Sequence, residues 1–194
     1  GRVNVIDSNG IVGAHDNHIP LPMFKNATAL SLPGPRLRQL GKDMSKFMRA
    51  GHGDEIHALH ELSARVSAAI KYSKGKTDTS TTAEMSMEIG MGVCQDHVHA
   101  FIAVARCLDF SARYVSGYLL MRDAEIQDAS HAWAEVFTDG LGWVGFDISN
   151  GISPDDRYIK LASGFDYNDV VTLSGVRFGS GKEQVATRIM ISQQ

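Results

Sequence analysis

Three residues, a cysteine, a histidine and an aspartate, have types and positions that could support nucleophilic chemistry. Cys94 follows the glycine-containing stretch Gly90-Met91-Gly92-Val93 and begins a segment with the periodicity of a helix. A cysteine nucleophile acts as the thiolate, and it needs a base together with a group that orients the base. His131 and Asp147 are suited to these two roles.

The segment after Cys94 is predicted to be a helix that ends near Leu108. Its inward face consists of Val98, Phe101, Ile102, Ala105 and Leu108. Cys94 lies one turn before Val98 on this face, where unpaired backbone N–H groups and the helix dipole favour a thiolate. The same N–H groups can stabilise an oxyanion. The alternative is that Cys94 is a small buried hydrophobic residue, as most free cysteines are.

His131 and Asp147 are placed on two predicted strands joined by the loop Thr138-Asp139-Gly140-Leu141-Gly142, which is typical of a hairpin. His131, Trp133 and Glu135 alternate onto one face of the first strand. In any antiparallel register whose paired residue numbers have an even sum, Asp147 shares that face, opposite His131 or one diagonal step away. A carboxylate there would fix the imidazole tautomer and stabilise its charged form. Taken singly, each residue is more typical of a half-buried strand position or a turn.

The elements that must position these residues are predicted as helices followed by strands. Helices are expected from Pro35 to about Met48, from the N-cap Asp54 to about Tyr72, over residues 83–89 and over the segment from Cys94 to Leu108. Strands are expected at 112–121, 131–137, 143–148 and near 184–191. This order predicts an α+β domain with antiparallel strands rather than a doubly wound sheet.

Composition restricts the class of protein. The 194 residues suit one domain, and 43% hydrophobic with 21% charged residues is typical of a globular chain. A net charge of −3 and a pI of about 6.2 argue against nucleic acid as a partner. The longest unbroken apolar run, residues 100–105, is too short for a membrane span, so no membrane interaction is expected. Two cysteines suit a reducing compartment, which predicts a cytoplasmic location.

The chain begins Gly1-Arg2-Val3, without an initiator Met or the apolar stretch of a signal peptide. We interpret this as a start inside a longer protein, so the native N-terminus is expected to be missing. Residues 1–35 predict a short extended segment or hairpin followed by irregular chain. This region is either a plain N-terminal arm or the remnant of a preceding β-rich region, and residues 1–12 are expected to pair poorly with the core.

Four motifs together resemble the transglutaminase-like superfamily, in its bacterial branch of cysteine proteases. They are Gly92-Val93-Cys94-Gln95-Asp96, then residues 112–118 (ARYVSGY), residues 131–136 (HAWAEV) and residues 142–147 (GWVGFD). The direct likeness covers about residues 77–151. Weaker likeness extends from Leu21 through the two N-terminal helices and to residues 161–167.

The resemblance implies a papain-like α+β core with Cys94, His131 and Asp147 as a Cys-His-Asp triad. It also implies a small β-rich domain before the core. We therefore divide the chain into an arm, residues 1–30, and a transglutaminase-like catalytic domain, residues 31–194. One departure is that Asp147 is followed by residues 148–150 (ISN), where many members carry Pro-Thr.

Other residues that could do chemistry are given structural roles. Asp96 is expected to brace the helix start, Arg113 to bridge to an acidic neighbour, and Cys107 to be structural. The two tryptophans, Trp133 and Trp143, are expected to pack in the core rather than line a groove. Metal binding is disfavoured at His57 and His60, and His97 and His99 point to different sides of their helix. No cofactor is expected, and no calcium loop is evident.

These observations predict a thiol acyl-transfer enzyme that acts on peptide or glutamine amide bonds of a protein or peptide substrate. Hydrolysis is favoured over cross-linking, because water is always available and an amine acceptor needs its own pocket. The alternative is a non-catalytic module that uses a papain-like fold for peptide binding or scaffolding. The sequence leaves the oligomeric state open.

Overall fold

The structure, a computed structural model, describes residues 19–51, 53–120, 126–127, 130–171 and 189–190. Four α-helices lie in this part of the chain: α1 (Pro35–Arg49), α2 (Glu55–Ala69), α3 (Ala83–Ile89) and α4 (Cys94–Cys107). The strands are β1 (Lys71–Tyr72), β2 (Met91–Gly92), β3 (Ala112–Leu119), β4 (Ile126–Gln127), β5 (His131–Thr138), β6 (Gly142–Phe146), β7 (Tyr158–Gly164) and β8 (Ile189–Met190). Short 3₁₀ helices occupy Leu21–Lys25 and Tyr167–Val170.

Helices α2 and α3 begin at residues whose side chains cap them. The Asp54 carboxylate accepts a hydrogen bond from the His57 backbone N–H at 2.9 Å, and the Thr82 hydroxyl accepts one from Met85 at 3.3 Å. The predicted extension of α2 to Tyr72 is wrong. The helix ends at Ala69, because Lys71–Tyr72 pairs in parallel with Met91–Gly92.

The main sheet has the strand order β6-β5-β3-β7, and all three pairings are antiparallel. Three strands were predicted with nearly these bounds; β6 is shorter than predicted, since it ends at Phe146. The edge strand β7 was not predicted as a strand. The final predicted strand is described only at Ile189–Met190, which pairs with Ile126–Gln127 rather than with the main sheet.

Helix α4 lies at the centre of the core, because all of its residues from Asp96 to Arg106 are buried. One face of the sheet joins the same core through Ala112, Tyr114, Ala134, Val136, Val144 and Phe146. Leu37 and Met44 of α1, and the buried residues of α2, complete it. The predicted α+β class, with N-terminal helices packed on an antiparallel sheet, is confirmed.

Residues 19–31 pack on the core through Phe24, which stacks on Phe165 and contacts the edge of Trp143. The buried Arg106 guanidinium donates to the carbonyls of Phe24, Ala112 and Phe165 and to the Ser31 hydroxyl, at 2.7–3.2 Å. Arg106 thus joins the N-terminal segment to α4 and the sheet. The predictions for residues 1–12 lie outside the described residues, and the boundary between an arm and a domain stays a prediction.

None of the helices in the described ranges combines the length and the apolar character needed to cross a bilayer. The cytoplasmic location stays a prediction.

Candidate active site

Two glycines shape the chain that leads to Cys94. Gly90 ends α3 in the left-handed conformation, with φ 68°, which glycine adopts without strain. A Cβ on Gly92 would lie 2.7 Å from the Cβ of Asp96, so only glycine allows this approach. Cys94 then opens α4 as predicted, half-buried and free of any disulfide.

Asp96 fixes the first turn of α4. Its Oδ2 accepts hydrogen bonds from the Val93 backbone N–H and from the Thr77 hydroxyl, both at 2.7 Å. Burial raises the pKa of Asp96, and these hydrogen bonds oppose the rise. The predicted bracing role of Asp96 is confirmed, and the carboxylate holds the backbone immediately before Cys94.

The hairpin β5–β6 brings His131 and Asp147 together. The register pairs Ala134 with Phe146, an even sum, and its continuation places Asp147 one diagonal step from His131. His131 Nε2 lies 2.6 Å from Asp147 Oδ2, and the exposed fractions of the two side chains are 15% and 0%. This is the geometry expected from the alternation of the two strands.

Asp147 is held by further donors besides His131. The Asn150 side chain donates from Nδ2 to Oδ2 at 2.7 Å, and its backbone N–H donates to Oδ1 at 3.1 Å. The Tyr158 hydroxyl donates to Oδ2 at 2.7 Å. The Asp147 backbone also exchanges hydrogen bonds with Ile152, which closes a tight turn. Both the backbone and the carboxylate of Asp147 are therefore fixed.

The surroundings of His131 favour its charged form. Burial lowers the pKa of the imidazole, but hydrogen bonding and charge interactions with Asp147 and Cys94 outweigh this and raise it to about 9. Burial raises the pKa of Asp147, but the hydrogen bonds to its carboxylate and the positive charge of His131 lower the pKa by more. The net shift of the Asp147 pKa is therefore downward. Because Nε2 of His131 is bonded to Asp147, Nδ1 is the ring nitrogen that can bond to Cys94. Near neutral pH the pair is an imidazolium and a carboxylate.

His97 links three parts of the chain near Cys94. Its Nε2–H donates to the Ile70 carbonyl at 2.7 Å, and its Nδ1 accepts from the Ser149 hydroxyl at 2.8 Å. Burial lowers the pKa of His97, with Ile70 and nearby carboxylates opposing the shift, which agrees with a neutral ring. The bond to Ser149 ties the Cys94 helix to the turn that carries Asp147.

Arg113, the two tryptophans and Cys107 were expected to have structural roles, and their surroundings are as follows. Arg113 bridges to the buried Glu135 at 2.6 Å, as predicted, and its guanidinium lies 4.0 Å from the centre of the Trp143 ring. Trp133 is buried. Cys107 is exposed near the far end of α4, and partial desolvation raises the pKa of its thiol.

Two of the histidines set aside as metal ligands, His97 and His99, have separate partners. His99 accepts from the Tyr167 backbone N–H, on a different side of α4 from the partners of His97. Within the described residues, no group of His, Cys, Asp and Glu is arranged to hold a metal ion.

Sequence reasoning did not find three residues that hold the site: Asn150 and Tyr158, which donate to Asp147, and Ser149, which donates to His97. The departure of residues 148–150 from the family pattern was a signal for Asn150 and Ser149, because a changed turn needs new hydrogen bonds. Tyr158 gave no signal, since the strand that carries it was not predicted.

The chain matches known proteins both in its sequence and in its fold. The family model of the transglutaminase-like superfamily matches residues 42–148, which include Cys94, His131 and Asp147. The chain belongs to this superfamily, and the resemblance noted in its motifs is confirmed.

Its relatives include mycobacterial proteins. An uncharacterized protein of Mycobacterium leprae is 33% identical over 156 residues, which cover 74% of this chain and 55% of that protein. An uncharacterized protein of Mycobacterium tuberculosis is 35% identical over 140 residues, covering 67% of this chain and 45% of that protein. The chain thus spans about half the length of the curated relatives it matches.

A solved structure has the same fold. The crystal structure of a "Putative Cysteine Protease" from Cytophaga hutchinsonii is 22% identical and superposes with a TM-score of 0.69, covering 94% of this chain and 60% of that chain. At this identity the likeness concerns the fold, which agrees with the predicted transglutaminase core.

Proposed function

We propose that the protein is a thiol acyl-transfer enzyme with Cys94 as nucleophile, His131 as general base and acid, and Asp147 as the residue that orients His131. The observation that carries this proposal is the 2.6 Å contact between His131 Nε2 and the buried Asp147 Oδ2. It fixes a ring whose second partner is Cys94. A histidine held between a carboxylate and a thiol is what an activated cysteine requires.

The first step forms a bond between the Cys94 sulfur and an amide carbonyl carbon. If the thiol is protonated, His131 accepts its proton; an imidazolium–thiolate pair already holds that proton on the ring. The tetrahedral intermediate expels the amine when the C–N bond breaks and His131 gives its proton to the departing nitrogen. Backbone N–H groups at the first turn of α4 have no carbonyl partners within the helix, and such groups suit an oxyanion.

The second step determines the reaction class. We favour hydrolysis, in which His131 removes a proton from water and the hydroxide attacks the acyl carbon, releasing an acid and the Cys94 thiol. The substrate class is a peptide bond or a glutamine carboxamide in a protein or peptide. A cytoplasmic location agrees with two cysteines that form no disulfide.

The test uses a peptide library that contains glutamine, with products read by mass spectrometry in the presence and absence of a primary amine. New peptide termini mark proteolysis, an increase of about one dalton marks deamidation, and incorporated amine marks cross-linking. We expect hydrolytic products from the wild type and none from Cys94→Ala. The matched control is Cys107→Ala, which should keep full activity.

The alternative function, a peptide-binding or scaffolding module, predicts the opposite results. Peptides would bind without turnover, and Cys94→Ala would bind them as the wild type does. Products formed equally by wild type and Cys94→Ala would come from a contaminant and would also reject the proposal.

A further inference from the structure

Tyr158 shares a carboxylate oxygen with His131. The Tyr158 hydroxyl donates to Asp147 Oδ2 at 2.7 Å, and the same oxygen lies 2.6 Å from His131 Nε2. The four motifs that the chain shares with the superfamily do not include this tyrosine.

The position of Tyr158 is fixed by its neighbours. It opens β7, where it pairs with Leu119 of β3. Its ring meets the buried Trp133 edge to face, with centroids 5.4 Å apart, and lies 6.0 Å from the His131 ring. A hydroxyl on a ring packed in this way has little freedom, and it lies within reach of both Asp147 Oδ2 and the Asn150 side chain.

Asn150 separates two effects that the Tyr158 hydroxyl could have on Asp147. Asn150 bonds both carboxylate oxygens, one through its side chain and one through its backbone. Asn150 also interacts with the Tyr158 hydroxyl, but neither of its two bonds to the carboxylate passes through that hydroxyl. Loss of the hydroxyl should therefore change mainly the charge on Oδ2, because a hydrogen-bond donor spreads the negative charge of the oxygen that accepts from it.

We propose that Tyr158 is a positioning residue that acts on His131 through Asp147, withdrawing negative charge from the shared oxygen so that the imidazolium releases its proton more readily. This inference rests on the proposed function, since an imidazolium must give its proton to the departing amine. A carboxylate without Tyr158 would hold that proton more tightly and make His131 a weaker acid.

The test is an NMR titration of His131 in protein labelled in its histidine rings, with the His131→Ala spectrum used to assign the signal. In Tyr158→Phe the midpoint of the His131 titration should move upward by roughly 0.5 unit or more, as expected for a hydrogen bond to a charged group. The matched control is Tyr118→Phe. Tyr118 pairs with Ile159, so it lies on the other face of the sheet from Tyr158. The His131 titration curve of Tyr118→Phe should therefore coincide with that of the wild type.

Two results would overturn the inference: a His131 midpoint that stays unchanged in Tyr158→Phe, or one that moves downward. Thermal unfolding of the same variant identifies a merely structural role, which would lower stability and leave the midpoint in place. The titration needs no turnover, so it distinguishes the two proposals. A midpoint that responds to Asp147→Asn but not to Tyr158→Phe rejects the role of Tyr158 alone, whereas an inactive wild type rejects the proposed function alone.

Discussion

Replacing Asp147 by Asn should lower the pKa of His131 by at least one unit. The pKa in the folded protein is about 9, against an ordinary value of 6.5. The difference of about 2.5 units corresponds to roughly 3 kcal/mol in favour of the imidazolium. Asp147 supplies hydrogen bonding and charge to that balance, while burial of His131 opposes it. Without the carboxylate charge, burial and the remaining interaction with Cys94 decide the pKa.

The same difference makes stability depend on pH. Because the pKa of His131 is raised on folding, its contribution is fully present below about pH 6.5 and is lost as the pH rises through about 9. The free energy of unfolding should therefore fall across this window by up to about 3 kcal/mol in the wild type, and by clearly less in Asp147→Asn.

Two measurements check this prediction: NMR titration of the His131 ring, and urea unfolding at pH 6 and pH 9. Asp139→Asn is the matched control, since Asp139 is exposed in the turn of the same hairpin. Asp139→Asn should change neither the His131 titration midpoint nor the pH dependence of the free energy of unfolding. A His131 midpoint near 9 in Asp147→Asn would refute the assignment of Asp147 as the group that holds the proton on the ring.

Three further variants test how the site is positioned. Arg106→Met removes the donor from three carbonyls and a hydroxyl, so urea unfolding should show a loss of about 3 kcal/mol; an unchanged midpoint would contradict the role of Arg106. Gly92→Ala places a Cβ 2.7 Å from that of Asp96, which should cost about 2 kcal/mol and slow alkylation of the site cysteine, as measured by mass spectrometry; wild-type rates would show that the glycine is dispensable. Ser149→Ala removes the donor to His97 Nδ1 and should cost about 1 kcal/mol in thermal unfolding, whereas His57→Ala on the surface of α2 should cost less.

The sequence was sufficient for the residues whose placement depends on local periodicity. The apolar spacing after Cys94 placed it at the start of a helix, and strand alternation put His131 and Asp147 on one face. These patterns are the 3.6-residue repeat of a helix and the two-residue repeat of a strand. Each repeat is visible within a single element, whatever that element packs against.

The sequence was insufficient where one element depends on a distant one. Helix α2 was extended to Tyr72 because Lys71 and Tyr72 continue a plausible helix, but pairing with β2 takes them into a strand. Strand β7 was missed because Lys160 looks like a solvent-exposed residue. In the structure its ammonium group contacts the buried Glu135 at 2.7 Å. Without β7, no sequence argument could bring Tyr158 to Asp147.

The measurement that tests the central claim most directly is alkylation of Cys94 by iodoacetamide at pH 6, with Cys107 in the same molecule as the reference. Cys107 is the more exposed thiol, and desolvation raises its pKa. Mass spectrometry of the digested protein gives both rates in one experiment. We predict that Cys94 reacts much faster than Cys107 in the wild type and that His131→Ala removes the difference. Equal rates at the two cysteines, or a Cys94 rate unchanged by His131→Ala, would show that Cys94 is an ordinary thiol and contradict the account.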